Sequence, residues 1–147
     1  MSRCWLFAGA LLLFVTGCGE AMPTTAPAKG VVTYRGQPLK FGSVMFQPVS
    51  GQAARAEIQP DGSFDLVTER YGDGPAVPGA AIGTHLVRIT CYEGQSPNAG
   101  GTGGGDRERP LGKSLIPEHY TNVETSGIKL EVKPGGEPFK IELVDPK

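Results

Sequence analysis

The chain has 147 residues and a formal net charge of −1, with 39% hydrophobic and 20% charged residues. That is one domain's worth once export and linker segments are set aside, and it is not the composition of a disordered chain. Glycine (22) and proline (13) are both abundant, which disfavours helix interiors, and no basic patch or stripe offers a surface to nucleic acid.

Met1-Ser2-Arg3 carries one positive charge, and residues 4–15 form an apolar run broken only by Gly9. A membrane span needs about 20 such residues, so the run suits the core of a signal peptide. Val15-Thr16-Gly17-Cys18 resembles the lipobox of bacterial lipoproteins: apolar, small, small, Cys. The resemblance implies that residues 1–17 are a signal peptide, removed when the Cys18 sulfur receives a diacylglycerol and the new amine an acyl chain such as palmitate. Each buried methylene contributes about 0.8 kcal/mol, so two or three chains hold where one does not. In that family an Asp after the Cys implies retention at the inner membrane. Gly19 stands there, which favours the outer membrane, with the domain on the periplasmic face or the cell surface. The alternative is an ordinary secretory signal with an incidental Cys. Cys4 leaves with the signal, so Cys91 stands alone without a disulfide partner and reads as a small buried hydrophobe.

Residues 18–28 are the lipidated Cys and a small, polar, Pro-containing flexible tether without a hydrophobic period. The domain is expected to run over residues 29–147. From Lys29 the period is two. Strands are expected over 30–35, 43–47 and 54–59, the last with Ala54, Ala56 and Ile58 on one face. Pro60-Asp61-Gly62 reads as a hairpin turn into a strand with Phe64 and Leu66. A Gly- and Pro-rich loop over 71–83 precedes a fifth strand over 84–92. The sixth covers 128–133 and, after Pro134-Gly135-Gly136, the seventh covers 139–143. Seven short strands separated by turn signals read as an all-β antiparallel sandwich. One segment, 93–126, has no strand signal and exceeds the usual loop length. Its Gly-rich part, 94–109, is expected to be mobile. Its later part, 115–126, is expected to pack on the domain through Ile116, Tyr120 and Val123.

The residues from Gly30-Val31-Val32-Thr33-Tyr34-Arg35-Gly36-Gln37-Pro38-Leu39 through Gly42-Ser43-Val44-Met45-Phe46 carry a family resemblance. Asp61-Gly62-Ser63-Phe64, Ile116-Pro117-Glu118-His119-Tyr120, Thr125-Ser126-Gly127 and Leu130-Glu131-Val132-Lys133-Pro134-Gly135 join them. Together they resemble the transthyretin-like, carboxypeptidase-regulatory-like domain, in particular the small lipoproteins of this type found in planctomycete bacteria. The resemblance implies a seven-stranded Greek-key-like sandwich and an envelope module for adhesion, scaffolding or assembly. It implies no reaction, and fold alone does not fix function.

Catalytic and metal patterns are not apparent. Gly112-Lys113-Ser114 ends like a phosphate-binding loop, but Arg107 stands where the first Gly is needed. His85 and His119 belong to no zinc-binding spacing, and no Cys pair exists to help them. Glu118 with His119 reads as a surface pair. Asp61 and Asp65 are too few oxygen ligands for a calcium loop. Ser114 and Ser126 lie in no nucleophile elbow. A small hydrolase on a transthyretin-like fold would resemble a tetramer with active-site His residues and a Tyr-Arg-Gly-Ser ending. This chain ends Val144-Asp145-Pro146-Lys147, and its Tyr34-Arg35-Gly36 lies near the start. No cofactor is implied. The expected role is therefore a non-enzymatic envelope lipoprotein that binds a protein or organises the envelope. A glycan-binding module is the alternative. Segment 93–126 is the expected contact surface, since loops carry recognition. Tyr71, in the earlier loop, and His119 and Tyr120, in this segment, are the candidate partner-contact residues, with Tyr71 and Tyr120 expected to be exposed.

Overall fold

The structure, a computed structural model, describes residues 24–69, 75–95 and 112–146. These residues form an all-β domain. Its strands in chain order are β1 (Thr25–Ala26), β2 (Lys29–Tyr34), β3 (Gln37–Pro38), β4 (Ser43–Pro48), β5 (Ala54–Glu57) and β6 (Ser63–Asp65). They continue with β7 (Val67–Thr68), β8 (Val77–Pro78), β9 (Ala80–Ala81), β10 (Gly83–Thr90), β11 (Ile128–Val132) and β12 (Phe139–Leu143). One sheet has the order β11-β10-β4-β5-β7-β8; a second has β12-β2-β3, with β6 also on β2; β1 and β9 pair by themselves.

Alternation decides which side chains meet. In β4, Val44, Phe46 and Pro48 are buried while Ser43, Met45 and Gln47 lie on the other face. In β10 the inward set is His85, Val87 and Ile89. The second sheet answers with Val32, Phe64, Ile141 and Leu143, and all of the apolar ones join one cluster. Phe46 is its centre: its ring lies 6.1 Å from Phe64 and 5.3 Å from Phe139, both in the opposite sheet. Tilted and edge-on rings at these separations are favourable beyond the area they bury.

The seven segments read from alternation are strands here, with ends shifted by up to two residues. Three features differ from the expectation. First, five further strands of two residues each appear, at Thr25–Ala26, Gln37–Pro38, Val67–Thr68, Val77–Pro78 and Ala80–Ala81. Two residues are too few to show a period. Second, not every ladder is antiparallel: β12 runs parallel to β2, with Phe139 opposite Gly30 and Leu143 opposite Tyr34. Side-chain alternation is the same for both directions, so it cannot report this. Third, Pro60-Asp61-Gly62 closes a tight turn, with Gln59 and Gly62 amides bonded to Ser63 and Gln59 carbonyls. That turn carries the chain from β5 in one sheet to β6 in the other.

The expected tether also reaches less far than residue 28. Ala26 and Ala28 are buried, Thr25 and Ala26 pair with Ala81 and Ala80, and the Ile82 amide donates to the Thr24 carbonyl at 3.0 Å. Small residues at 26 and 28 allow this close docking. Gly79 completes it: at φ 90° a side chain is disfavoured, and a Cβ there would overlap the Ala26 carbonyl. Replacing Gly79→Ala should therefore cost about 1–3 kcal/mol. It should also speed amide hydrogen exchange at Ile82, and unchanged exchange there would show that the docking does not depend on Gly79.

His85 is the buried exception in an apolar row. Its side chain is 1% exposed, its ring lies 5.8 Å from Phe46, and its Nδ1–H donates to the Gly83 carbonyl at 3.0 Å. Nε2 has no partner, which suits the neutral tautomer with its proton on Nδ1. Burial pushes the imidazole below its ordinary value of 6.5, partly offset by the Gly83 carbonyl. The unfolded chain then takes up the proton first, so stability is lost as pH falls below about 6.5. One proton gives a slope of at most about 1.4 kcal/mol per pH unit. Chemical denaturation between pH 7 and pH 5 should show this slope in the native chain and its loss in His85→Leu. An equal slope in both would assign the effect elsewhere.

Candidate functional site

Strand direction gives the domain two distinct poles. Thr24 sits beside Ile82, at the start of β10. Gly136 packs on the Pro27 carbonyl, just before β12. β10 then runs eight residues to Thr90, and β2 and β12 run side by side to Tyr34 and Leu143. At about 3.3 Å per residue, β10 separates the two poles by some 26 Å. The far pole gathers the β2–β3 turn, the residues after β10 and β12, and the segment from Gly112.

Arg35 and Gly36 form the corner between β2 and β3, with φ of 51° and 76°. A two-residue turn with both φ positive matches the strand twist and ordinarily uses Asn-Gly or Asp-Gly. Arg35 is the one non-glycine residue at positive φ among the described residues. Three contacts hold it. Its amide donates to the Leu143 carbonyl at 3.2 Å, its Nε donates to Asp145 Oδ2 at 2.7 Å, and its guanidinium lies 5.0 Å from the Tyr34 ring centre. The Tyr34 hydroxyl donates to the other Asp145 oxygen at 2.7 Å. Asp145 thus ties the chain after β12 to the end of β2.

The electrostatics follow from that carboxylate. The hydrogen bond to Asp145 raises the Tyr34 phenol, with burial adding and Arg35 opposing. The same bonds, from Arg35 first and Tyr34 second, lower the Asp145 carboxyl. The ion pair is exposed, with side chains 66% and 47% accessible, so water screens it and it positions more than it stabilises.

A groove of about 440 Å³ opens beside this cluster. Leu39, Phe41 and Leu115 form its apolar wall, Cys91 its floor, and Arg35 and Lys40 its charged rim. Among the described residues no acidic side chain lines it, although Asp145 is bonded to two residues that do line it, Tyr34 and Arg35. Cys91 is free and buried, and burial raises its thiol, so it stays protonated. A larger groove of about 540 Å³ lies along β2 and β6, but Lys29, Glu57 and Asp65 all line it, so opposite charges mix. Among the described residues, no three His, Cys, Asp or Glu side chains converge as metal ligands would.

The residues that the sequence singles out fare differently, and only part of segment 93–126 enters the site. Cys18 and Tyr71 lie outside the described residues, as does most of 94–109. Tyr120 is 7% exposed, not open to solvent as expected. Its hydroxyl accepts from the Val144 amide and donates to the Val144 carbonyl, both at 3.2 Å, so it pins the chain after β12. His119 is half-buried, with its ring 3.9 Å from that of Tyr120. Neither lines the groove. Ile116 packs into the core as expected, while Val123 stays half-buried. Ser126 is buried; its hydroxyl donates to the Val87 carbonyl and accepts from the Ile128 amide. The Ser114 hydroxyl donates to the Ile116 carbonyl at 2.7 Å. Both serines act as local fasteners.

Arg35, Lys40 and Leu115 do not stand out in the sequence as contact residues. One signal was available: an Arg before Gly at a two-residue turn, where Asn or Asp is ordinary. The Tyr34–Asp145 bond has a direct test. Asp145→Asn should bring the Tyr34 phenol down toward its ordinary value, read by NMR titration of ring-labelled tyrosine. An unmoved titration would mean that the carboxylate does not hold the phenol proton. No family model, curated protein or solved structure matches the chain.

Proposed function

We propose that the chain is a non-enzymatic envelope lipoprotein, anchored through lipid at Cys18, whose far pole binds a partner protein. On this reading the two sheets are the seven-stranded, Greek-key-like sandwich of the transthyretin-like lipoproteins that the sequence resembles. The short strands are then additions at its turns.

The observation that carries the reading is polarity. Thr24 lies on the pole of Ile82 and Gly136. The groove with Arg35, Lys40 and exposed Leu115 lies on the pole where β2, β10 and β12 end. A lipid at Cys18, so close in sequence to Thr24, would hold the first pole toward the membrane and present the second away from it. Loops and strand ends at one end of a rigid β-domain are where recognition concentrates. Leu115 is 42% exposed and Val144 54%, which leaves apolar surface at that pole for a partner to cover.

Two measurements test the halves separately. Cys18→Ser should abolish incorporation of labelled fatty acid in cells; undiminished labelling would refute the anchor. A photo-cross-linker at position 115 should give a discrete adduct in cells, and one at position 129 should not. Equal adducts at both, or none at 115, would refute the far pole as the contact surface.

A further inference from the structure

We infer that the groove beside Arg35 recognises an extended acidic peptide, seating an apolar side chain against Leu39, Phe41 and Leu115 and a carboxylate between Arg35 and Lys40. This deepens the proposed binding role of the far pole and rests on it.

Three observations carry the inference. The first is charge. The chain as a whole is slightly acidic, at −1, yet among the described residues the groove's lining has two cations and no acid; Asp145, bonded to Arg35 beside it, offsets one of them and leaves Lys40 as the net positive charge. Lys40 makes no ion pair among the described residues. Arg35 bonds Asp145 through Nε, and a guanidinium carries five N–H donors in all, so it has donors beyond that bond to offer a carboxylate. A guanidinium presents those donors as a planar fork that matches carboxylate geometry.

The second is preorganisation. A mobile arginine loses side-chain freedom when it binds, which weakens association. Here that freedom is already restricted by Asp145, by the Tyr34 ring and by a backbone bond to Leu143. The backbone at φ 51° is unfavourable for most residues with a Cβ, Asn and Asp being the ones that adopt it readily. Such strain clusters at ligand contacts, where surrounding structure sustains it. Asn would fit the turn better, so the identity of residue 35 is explained by its head group and not by its backbone.

The third is shape and composition. At about 440 Å³ the groove is in the range of pockets that take small ligands or a few side chains. Its wall is hydrophobic and its rim cationic, which fits a side chain and a carboxylate carried on one chain.

The experiment uses the full chain in neutral detergent and fluorescence anisotropy. The probe is a fluorescein-labelled Gly-Leu-Asp-Leu-Glu peptide, compared with its amide-capped Gly-Leu-Asn-Leu-Gln counterpart. The acidic peptide should bind at least about tenfold more tightly than the neutral one, and added salt should narrow the gap. Lys40→Ala and Arg35→Asn should each weaken the acidic peptide by about tenfold, with Lys129→Ala unchanged. Asn accepts positive φ, so Arg35→Asn keeps the turn; Lys40→Ala needs no such provision. Equal binding of both peptides, indifference to Lys40→Ala, or no binding would overturn the inference. So would binding to anionic phospholipid vesicles through Arg35 and Lys40 in place of the peptide. If the peptide fails while the cross-link at position 115 persists, only the ligand class falls. If both fail, the binding role of the pole falls with it.

Discussion

Phe46 is the residue on which the two sheets depend. It projects from β4, between β10 and β5, and reaches rings on two strands of the opposite sheet. Removing a buried phenylalanine from such a position costs about 3–5 kcal/mol, a large part of the 5–15 kcal/mol that holds a small domain together. The same side chain fixes register. With period two, a one-residue slip of β4 would turn Phe46 to solvent and bring Met45 and Gln47 inward. Register in β4 then sets its neighbours: Phe46 faces Val87 in β10 and Ala54 in β5. Ser43 at the end of β4 therefore meets Thr90 at the end of β10, and their hydroxyls bond at 2.8 Å. The far pole is placed by a packing decision made in the core.

Polar side chains then fasten what the core cannot. A backbone group leaving a sheet still needs a partner. Tyr120 satisfies both the amide and the carbonyl of Val144, and Ser126 bonds the Val87 carbonyl and the Ile128 amide. These two residues sit in a segment with little regular structure, a short 3₁₀ turn at Glu118–Thr121. Each anchors that segment to a strand end. The Ile-Pro-Glu-His-Tyr and Thr-Ser-Gly stretches are thus explained by architecture. Their chemistry is spent on holding the chain, which is why Tyr120 is buried.

Most strands were legible because burial on one face writes itself into the sequence as alternation: Val44 and Phe46, Val87 and Ile89, Ile141 and Leu143. What alternation does not encode went unread. It is silent on strand direction, so the parallel β2–β12 pair was unexpected. It is silent on sheet membership, so the turn at Pro60-Asp61-Gly62 passed for a hairpin within one sheet. Two-residue pairings such as Thr25–Ala26 with Ala80–Ala81 have no period, and small residues before Lys29 look like a tether even where Ala26 and Ala28 are buried. The site was least legible of all. Arg35, Lys40 and Leu115 are far apart in sequence or bland in type, and they meet only because three strands end together.

That convergence also explains why the far pole can hold a precise arrangement. Arg35 follows β2 directly, Asp145 lies two residues beyond β12, and Cys91 immediately follows β10. β2 and β12 are joined along five register pairs, so their ends cannot drift apart without breaking a ladder. The Arg35–Asp145 pair is therefore short although it is exposed and energetically minor. The rigid strands set its geometry, and the pair in turn fixes where the guanidinium points. A side chain held this way at a strained turn is costly to keep for stability alone, because a neutral Asn would relax the backbone and leave the core untouched. Bonded to Asp145 and set against the Tyr34 ring, the guanidinium stands beside the groove that Arg35 and Lys40 both line, and it is there that the proposed peptide binding would use it.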